Sequence, residues 1–211
     1  MPDDGRRYHQ LVFIWVRDQA MFARYLRDLP PIVGRYGGAA DLSLRPTAVR
    51  ADRLALPDIV NLVHYTDKRA FERFGVDPEF REIEPLRAGS VDLMTFEGYL
   101  RPGDPSPAGP PGRVYNVELA TYLDGTGEAY RAYEERGEAV MCRYGYRVEY
   151  ILDAETGPAG RPRPDLIKIS SFPDEAARAA FDADPAHAGA AQRLYPVAAD
   201  HVVWLTGRAI N

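Results

Sequence analysis

The chain has 211 residues, 45% hydrophobic and 27% charged, which is long enough to bury about 70% of its unfolded surface without disulfide staples. With 31 acidic residues against 26 basic ones the net charge is −5, so counterion release gives no drive toward nucleic acid. No apolar run approaches the roughly 18 residues of a membrane span, the opening "MPDDGRRYHQ" lacks a secretory core, and the single Cys142 has no internal disulfide partner. A cytoplasmic protein is expected.

In chain order, Leu11 to Val16 is short, apolar and rich in β-branched and aromatic residues, which predicts a buried strand. Phe22, Leu26, Leu29, Val33 and Tyr36 then recur at helical spacing, with Pro30 and Pro31 expected to kink the helix or end its first segment. Arg35-Tyr36-Gly37 closes that stretch, Tyr36 on the core stripe and Gly37 and Gly38 as the stop. Strands follow at Asp41 to Leu44 and Ile59 to Tyr65. A second helix is capped by Asp67, runs through Phe71 and Phe74, and is interrupted at Asp77-Pro78, where proline suits a first turn. Val91 to Leu100 is the last strand before "RPGDPSPAGPPG", Arg101 to Gly112, whose five prolines cannot hold a regular ladder and mark a linker.

Beyond the linker the pattern repeats. "YHQLVFIWV" (Tyr8 to Val16) aligns with "YNVELATYL" (Tyr115 to Leu123) at an offset of 107. "FARYLRDLPPIVGRYGG" aligns with "YRAYEERGEAVMCRYGY" at 108, and "PDIVNLVHYTDKRAFERFGVDP" with "PDLIKISSFPDEAARAAFDADP" at 107. The second copy has its helix stripe at Tyr130, Tyr133, Gly137, Val140 and Tyr144, and strands at Arg147 to Leu152, Leu166 to Phe172 and Val202 to Arg208. The expected architecture is α+β: a first ferredoxin-like βαββαβ unit over 1–100, a linker over 101–112 and a second unit over 113–211. A four-stranded sheet with both helices on one face leaves the other face bare, so the two units should pack sheet to sheet as a pseudo-dimeric α+β barrel.

The order "Y…PPIVGRYGG", "PDIVNLVHYTDKRAFERF" and "DPEFREIEPLR", with its diverged copy, resembles the domain of unknown function numbered 1330, in the NIPSNAP-like group of dimeric α+β barrels. The resemblance implies strand order 4-1-3-2 in each unit, with one chain supplying both units that relatives assemble from two. It also implies a range of activities: cofactor-free monooxygenases, muconolactone-type isomerases, haem-degrading enzymes and proteins with no known reaction. Fold does not choose among them.

Positions where the copies differ in polarity are the informative ones. On the third strand Val60 and Leu62 alternate with Asn61 and Val63, and in the copy Ile167 and Ile169 alternate with Lys168 and Ser170. Placing the wholly apolar face under the helices puts Asn61, Val63, Tyr65, Lys168, Ser170 and Phe172 between the sheets, with His64 on the helix side. Leu11, Phe13 and Trp15 correspond to Glu118, Ala120 and Tyr122, so Glu118 and Lys168 are expected as neighbours on adjacent strands. The pair is either a structural ion pair or a site in which Lys168 orients an anionic or carbonyl substrate and Glu118 accepts a proton. His64, at a strand end, is either a core-edge histidine or a general acid or base. Trp15, Tyr36, Asn61, Tyr65 and Tyr122 are candidate substrate-binding walls.

The widely spaced His9, His64, His187 and His201, with no cysteine ligands, do not form a transition-metal motif. "DGTGEAY" has Tyr130 at the third glycine position of a dinucleotide fingerprint and is a turn. No nucleophile elbow or P-loop occurs, and Cys142 is expected to be a small buried residue. The leading functional expectation is an enzyme without a cofactor or metal, acting on a hydrophobic, oxygenated small molecule of the kind met in secondary metabolism, by isomerisation, cyclisation or oxygenation. The alternatives are a noncatalytic ligand-binding or scaffold protein, and a haem protein with His64 as axial ligand in a roomy cleft. A sealed barrel and a helix cleft filled by side chains would favour the scaffold. The expected partner is a small molecule, without nucleic acid or membrane, and the chain is a monomer with an internal pseudo-dimer or a homodimer.

Overall fold

The computed structural model describes residues 6–50, 54–101, 112–160, 163–187 and 199–210. The first unit contains β1 (Tyr8–Val16), α1 (Gln19–Gly34), β2 (Ala39–Arg50), β3 (Ile59–Tyr65), α2 (Lys68–Gly75), α3 (Pro78–Ser90) and β4 (Val91–Leu100). The second contains β5 (Val114–Tyr122), α4 (Gly127–Met141), a 3-10 turn at Cys142–Tyr144, β6 (Arg147–Thr156), β7 (Leu166–Phe172), α5 (Glu175–Asp182) and β8 (Ala199–Ala209). Most of the linker lies outside the described residues.

Aspartates start the helices as their positions require, because a carboxylate can accept from the free amides of a first turn. Asp18 accepts from Met21, Asp67 from Ala70 and Asp174 from Ala177, while Asp77 accepts from both Glu79 and Phe80 with Pro78 at the next position. Helix α1 runs through Pro30 and Pro31, which neither end nor divide it; Ile32 and Val33 beyond them are buried against the sheet. Gly37 and Gly145 follow the helices with φ of 62° and 71°, a conformation that strains residues carrying a Cβ.

The eight strands close into a barrel in the order β1-β3-β2-β8-β5-β7-β6-β4, each half reading 4-1-3-2 in its own numbering. Seams β2–β8 and β4–β6 join the halves. Every neighbouring pair is antiparallel, so equivalent strands of the two halves run in the same direction and equivalent residues share a barrel end.

The two faces are the reverse of those expected. Leu11, Phe13, Val60 and Leu62 point into the barrel with Val117, Leu119, Ile167 and Ile169, whereas Val12, Ile14, Val63 and Tyr65 pack under the first unit's helices. A closed barrel sealed by two sheets excludes water more completely than a helix layer with open flanks, so the wholly apolar alternation belongs inside. The offset of the first strand is also different. Leu11 pairs with Leu62 and Val117 with Ile169, so β1 maps onto β5 at 106 while β3 maps onto β7 at 107. One residue of slip turns every side chain to the other face. Glu118 therefore corresponds to Val12, not Leu11. No helix among the described residues is long and apolar enough to cross a membrane.

Candidate active site

Glu118 on β5 and Lys168 on β7 are directly paired residues, as expected, but they point outward from the barrel and lie beneath α4. There Lys168 Nζ stands 3.1 Å from Glu118 Oε2 and donates to Glu134 of α4. Tyr130, one helical turn before Glu134, donates its hydroxyl to Glu118 Oε1 at 2.5 Å. Lys168 is 3% exposed, so its charge depends on these partners. Burial alone would strip its proton, yet Glu118, Tyr146 and Glu134 together hold its pKa well above the ordinary lysine value. Burial and the Glu118 carboxylate push Glu134 up to about 7, against the pull of Lys168. The Glu134 carboxyl, facing a second carboxylate across one ammonium, thus takes up a proton near neutrality.

The triad borders a cleft between α4, α5 and the sheet, walled by Tyr133, Tyr146, Phe172 and Phe181 and reaching Met141, Arg178 and His187. The cavity is about 30 Å3, room for about one water. The Tyr146 hydroxyl is buried beside Ser170 and, among the described residues, makes no hydrogen bond. Burial raises its pKa to about 12, so it stays protonated and can donate. Burial also lowers the pKa of His187, whose ring lies 3.9 Å from that of Phe181. Arg178 donates to Asn116 across the cleft and pairs with Asp182 at 2.9 Å.

His64 is elsewhere. It lies at one end of the barrel on the interior face, not under the helices, with Nδ1 2.8 Å from Asp41 Oδ1. His9 Nε2 is 3.4 Å from Asp41 Oδ2, and the two imidazole centroids are 6.0 Å apart. Burial acts against the Asp41 charge, but His9 and His64 more than offset it and keep its pKa below the ordinary value. Asp41 is the extra residue of a β-bulge in β2, and Glu149 occupies the matching bulge in β6. Around Glu149 the partners differ: Ser171 donates to Glu149, and Arg113 donates to the Ser171 hydroxyl at 2.7 Å. Among the described residues no group of His, Cys, Asp and Glu is arranged to hold a metal ion.

Of the candidate walls, Tyr122 alone reaches the triad's surroundings, with its ring centroid 4.7 Å from that of Tyr130. Burial, then Glu134 and Glu118, push its pKa up to about 12. Trp15 lines the barrel and donates to the Ala55 carbonyl, Tyr36 donates to Asp77, and Tyr65 packs on Phe71 and Phe74. Asn61 faces the helix side of the first unit, with a buried Oδ1 that accepts no hydrogen bond among the described residues. Cys142 is exposed rather than buried, because the 3-10 turn after α4 leaves it off the core stripe. Glu134 was missed, although its position one turn after Tyr130 and beside Tyr133 puts it on the buried edge of α4.

No family model and no curated protein matches the chain. Solved structures do. An anthrone oxidase-like protein is 15% identical with a TM-score of 0.62, the alignment covering 99% of this chain and 92% of that one. A monooxygenase candidate from Fusobacterium nucleatum is 9% identical with a TM-score of 0.62, covering 99% and 94%. A chlorite dismutase mutant from Candidatus Nitrospira defluvii is 10% identical with a TM-score of 0.62, covering 99% and 92%. At these identities the likeness shows the fold, the dimeric α+β barrel within one chain. Haem on His64 does not fit this arrangement: the imidazole is bonded to Asp41 inside the packed barrel, and the second unit's cleft has space for one water beside a charged triad.

Proposed function

We propose that the chain is an enzyme that removes a proton from a hydrophobic, oxygenated small molecule in the cleft between the second unit's sheet and helices α4 and α5. The observation that carries this reading is Glu134, a partly buried carboxyl at the wall of that cleft, hydrogen-bonded to a buried lysine and with its pKa raised to about 7. As a carboxylate, Glu134 takes the proton from a carbon next to a carbonyl or, in an anthrone, from the benzylic carbon conjugated with the ketone through the two flanking rings. The electron pair moves onto the substrate oxygen, where the Lys168 ammonium and the Tyr146 hydroxyl stabilise the enolate. Glu118, held by Tyr130, keeps Lys168 charged throughout.

An isomerase or cyclase returns the proton to another carbon. An oxygenase passes electrons from the enolate to dioxygen. The anthrone oxidase-like structure makes anthrone the first substrate to test, one dioxygen converting it to anthraquinone and one water. Admission requires side chains at the mouth, among them Met141, Arg178 and His187, to withdraw, since the cleft at rest holds only about one water. The test is oxygen uptake and anthraquinone formation with anthrone, alongside mass spectrometry of any metabolite released from the purified protein. Glu134→Gln should lower turnover by about 100-fold or more, and Tyr146→Phe by less, with KM little changed. Full turnover in Glu134→Gln removes the proposal.

A second reading, a noncatalytic scaffold, draws on the barrel, whose interior is filled by side chains from all eight strands, and on the helix cleft, which at rest holds only about one water. It predicts that Glu134→Gln leaves every ligand and turnover assay unchanged while raising stability above neutral pH.

A further inference from the structure

The first unit carries an open groove of about 530 Å3 that shares no lining residue with the triad's cleft. Its walls are α1, with Phe22 reaching up from the core and Leu26 at the rim, and the segment leading into β3, with Leu56 and Ile59. Leu26 and Leu56 are 42% and 43% exposed, large apolar side chains open to solvent at the groove. The groove is built rather than incidental. Trp15 Nε1 holds the Ala55 carbonyl at 3.1 Å, and the Val16 amide donates to Asp58 Oδ2 at 2.7 Å, so the far wall is fixed to the end of β1. Its volume falls in the range of about 300 to 1,000 Å3 that small-molecule sites use.

Electrostatics select the ligand. Arg45 lines the groove, points outward from β2, and makes no ion pair or hydrogen bond among the described residues. Directly opposite it across the β2–β8 seam is Arg208, and opposed residues of an antiparallel pair share a face. Arg208 is paired with Glu175 at 3.1 Å, so among the described residues no carboxylate is paired with the Arg45 guanidinium. Asp58, the one carboxylate in the lining, is turned onto the Val16 amide.

We infer that this groove binds an amphipathic small-molecule carboxylate, its apolar body against Phe22, Leu26 and Leu56 and its carboxylate on Arg45. The site is separate from the proton-transfer cleft and does not depend on it. The probe is 2-naphthoate, with neutral 2-naphthamide as control, titrated into the full chain by calorimetry and by amide chemical-shift mapping. Expected are saturable one-to-one binding, shifts confined to 19–26, 44–47 and 54–59, and weak or no binding of the amide. Arg45→Gln should weaken 2-naphthoate at least about ten-fold, the loss of one charge-assisted pair. Ala23→Trp, which fills the groove, should abolish binding, and Glu134→Gln should leave it unchanged. Binding indifferent to both groove variants, shifts located at the α4 cleft, or no saturable binding overturns the inference. So does a wild-type dimer that Leu26→Asp and Leu56→Asp dissolve, since a second copy would then fill the groove.

Discussion

Lys168 brings a full positive charge to a place that is 3% exposed, and the carboxylates of Glu118 and Glu134 are what keep it charged there. Removing one member of a buried ionic set leaves the others uncompensated, which typically costs about 3 to 5 kcal/mol. Lys168→Met is therefore expected to lower unfolding stability by that amount in urea titrations at pH 8, where Glu134 is ionised. At pH 5, with Glu134 protonated, the same substitution should cost less. The pH dependence of the wild type follows from the direction of the Glu134 shift. Its folded pKa, about 7, lies above its ordinary 4.5, so the folded state holds a proton that the unfolded chain releases between those values. The associated stability is complete below about pH 4.5 and is lost as pH rises to about 7. Glu134→Gln should flatten that limb; an unchanged slope between pH 5 and 8 would mean that the carboxyl is not held as described. The Glu118–Lys168 contact was legible because strand registers bring equivalent positions side by side. Its third member was not, because whether a residue at the edge of a helix stripe turns inward depends on the packing of α4 against the sheet.

Among the elements, the seams between the halves depend on a feature that local patterns did not single out. Gly98 in β4 and Gly207 in β8 occupy matching places in the two seams, opposite Ala154 and Pro46, each beside a shift in register. A Cβ on Gly98 would sit 2.0 Å from the Asp153 carbonyl oxygen, and one on Gly207 would sit 2.9 Å from the Arg45 carbonyl oxygen. Both contacts are with backbone, which cannot rotate aside. Gly98→Ala should destabilise the protein by about 1 to 3 kcal/mol or more, the usual range for overpacking, whereas Gly34→Ala, with nothing within 4 Å, should be neutral or stabilising. Chemical denaturation of the two variants side by side measures the difference. The helix start at Asp67 and the restart at Asp77-Pro78 were readable because capping and a first-turn proline are local chemistry. A glycine that lets two strands of different repeats approach is a long-range requirement, and its sequence neighbourhood, "FEGYL", resembles any strand.

At the scale of the molecule, the repeat was visible as a duplication, while its closure into one barrel depends on which face of each sheet is driest. Among the described residues the interior core draws eight buried residues from each half: Leu11, Phe13, Leu42, Leu44, Val60, Leu62, Met94 and Phe96 against Tyr115, Val117, Leu119, Tyr150, Leu152, Ile167, Ile169 and Leu205. Neither half can bury its set alone, so the barrel offers no boundary at which one unit could unfold and leave the other intact. The halves have diverged where symmetry is least needed. The barrel end holds His9, Asp41 and His64 on one side and Arg113, Ser171 and Glu149 on the other, and the helix face holds Val12 and Asn61 in one unit but Glu118 and Lys168 in the other. Shared core and divergent faces together predict one cooperative transition with a site in a single unit. Scanning calorimetry should show a single peak with calorimetric and van't Hoff enthalpies equal, and Lys168→Met should shift that whole peak rather than split it. Two resolved peaks, with Lys168→Met moving only one, would mean that the halves fold as separate domains joined by an interface and that the barrel interior is not their common core.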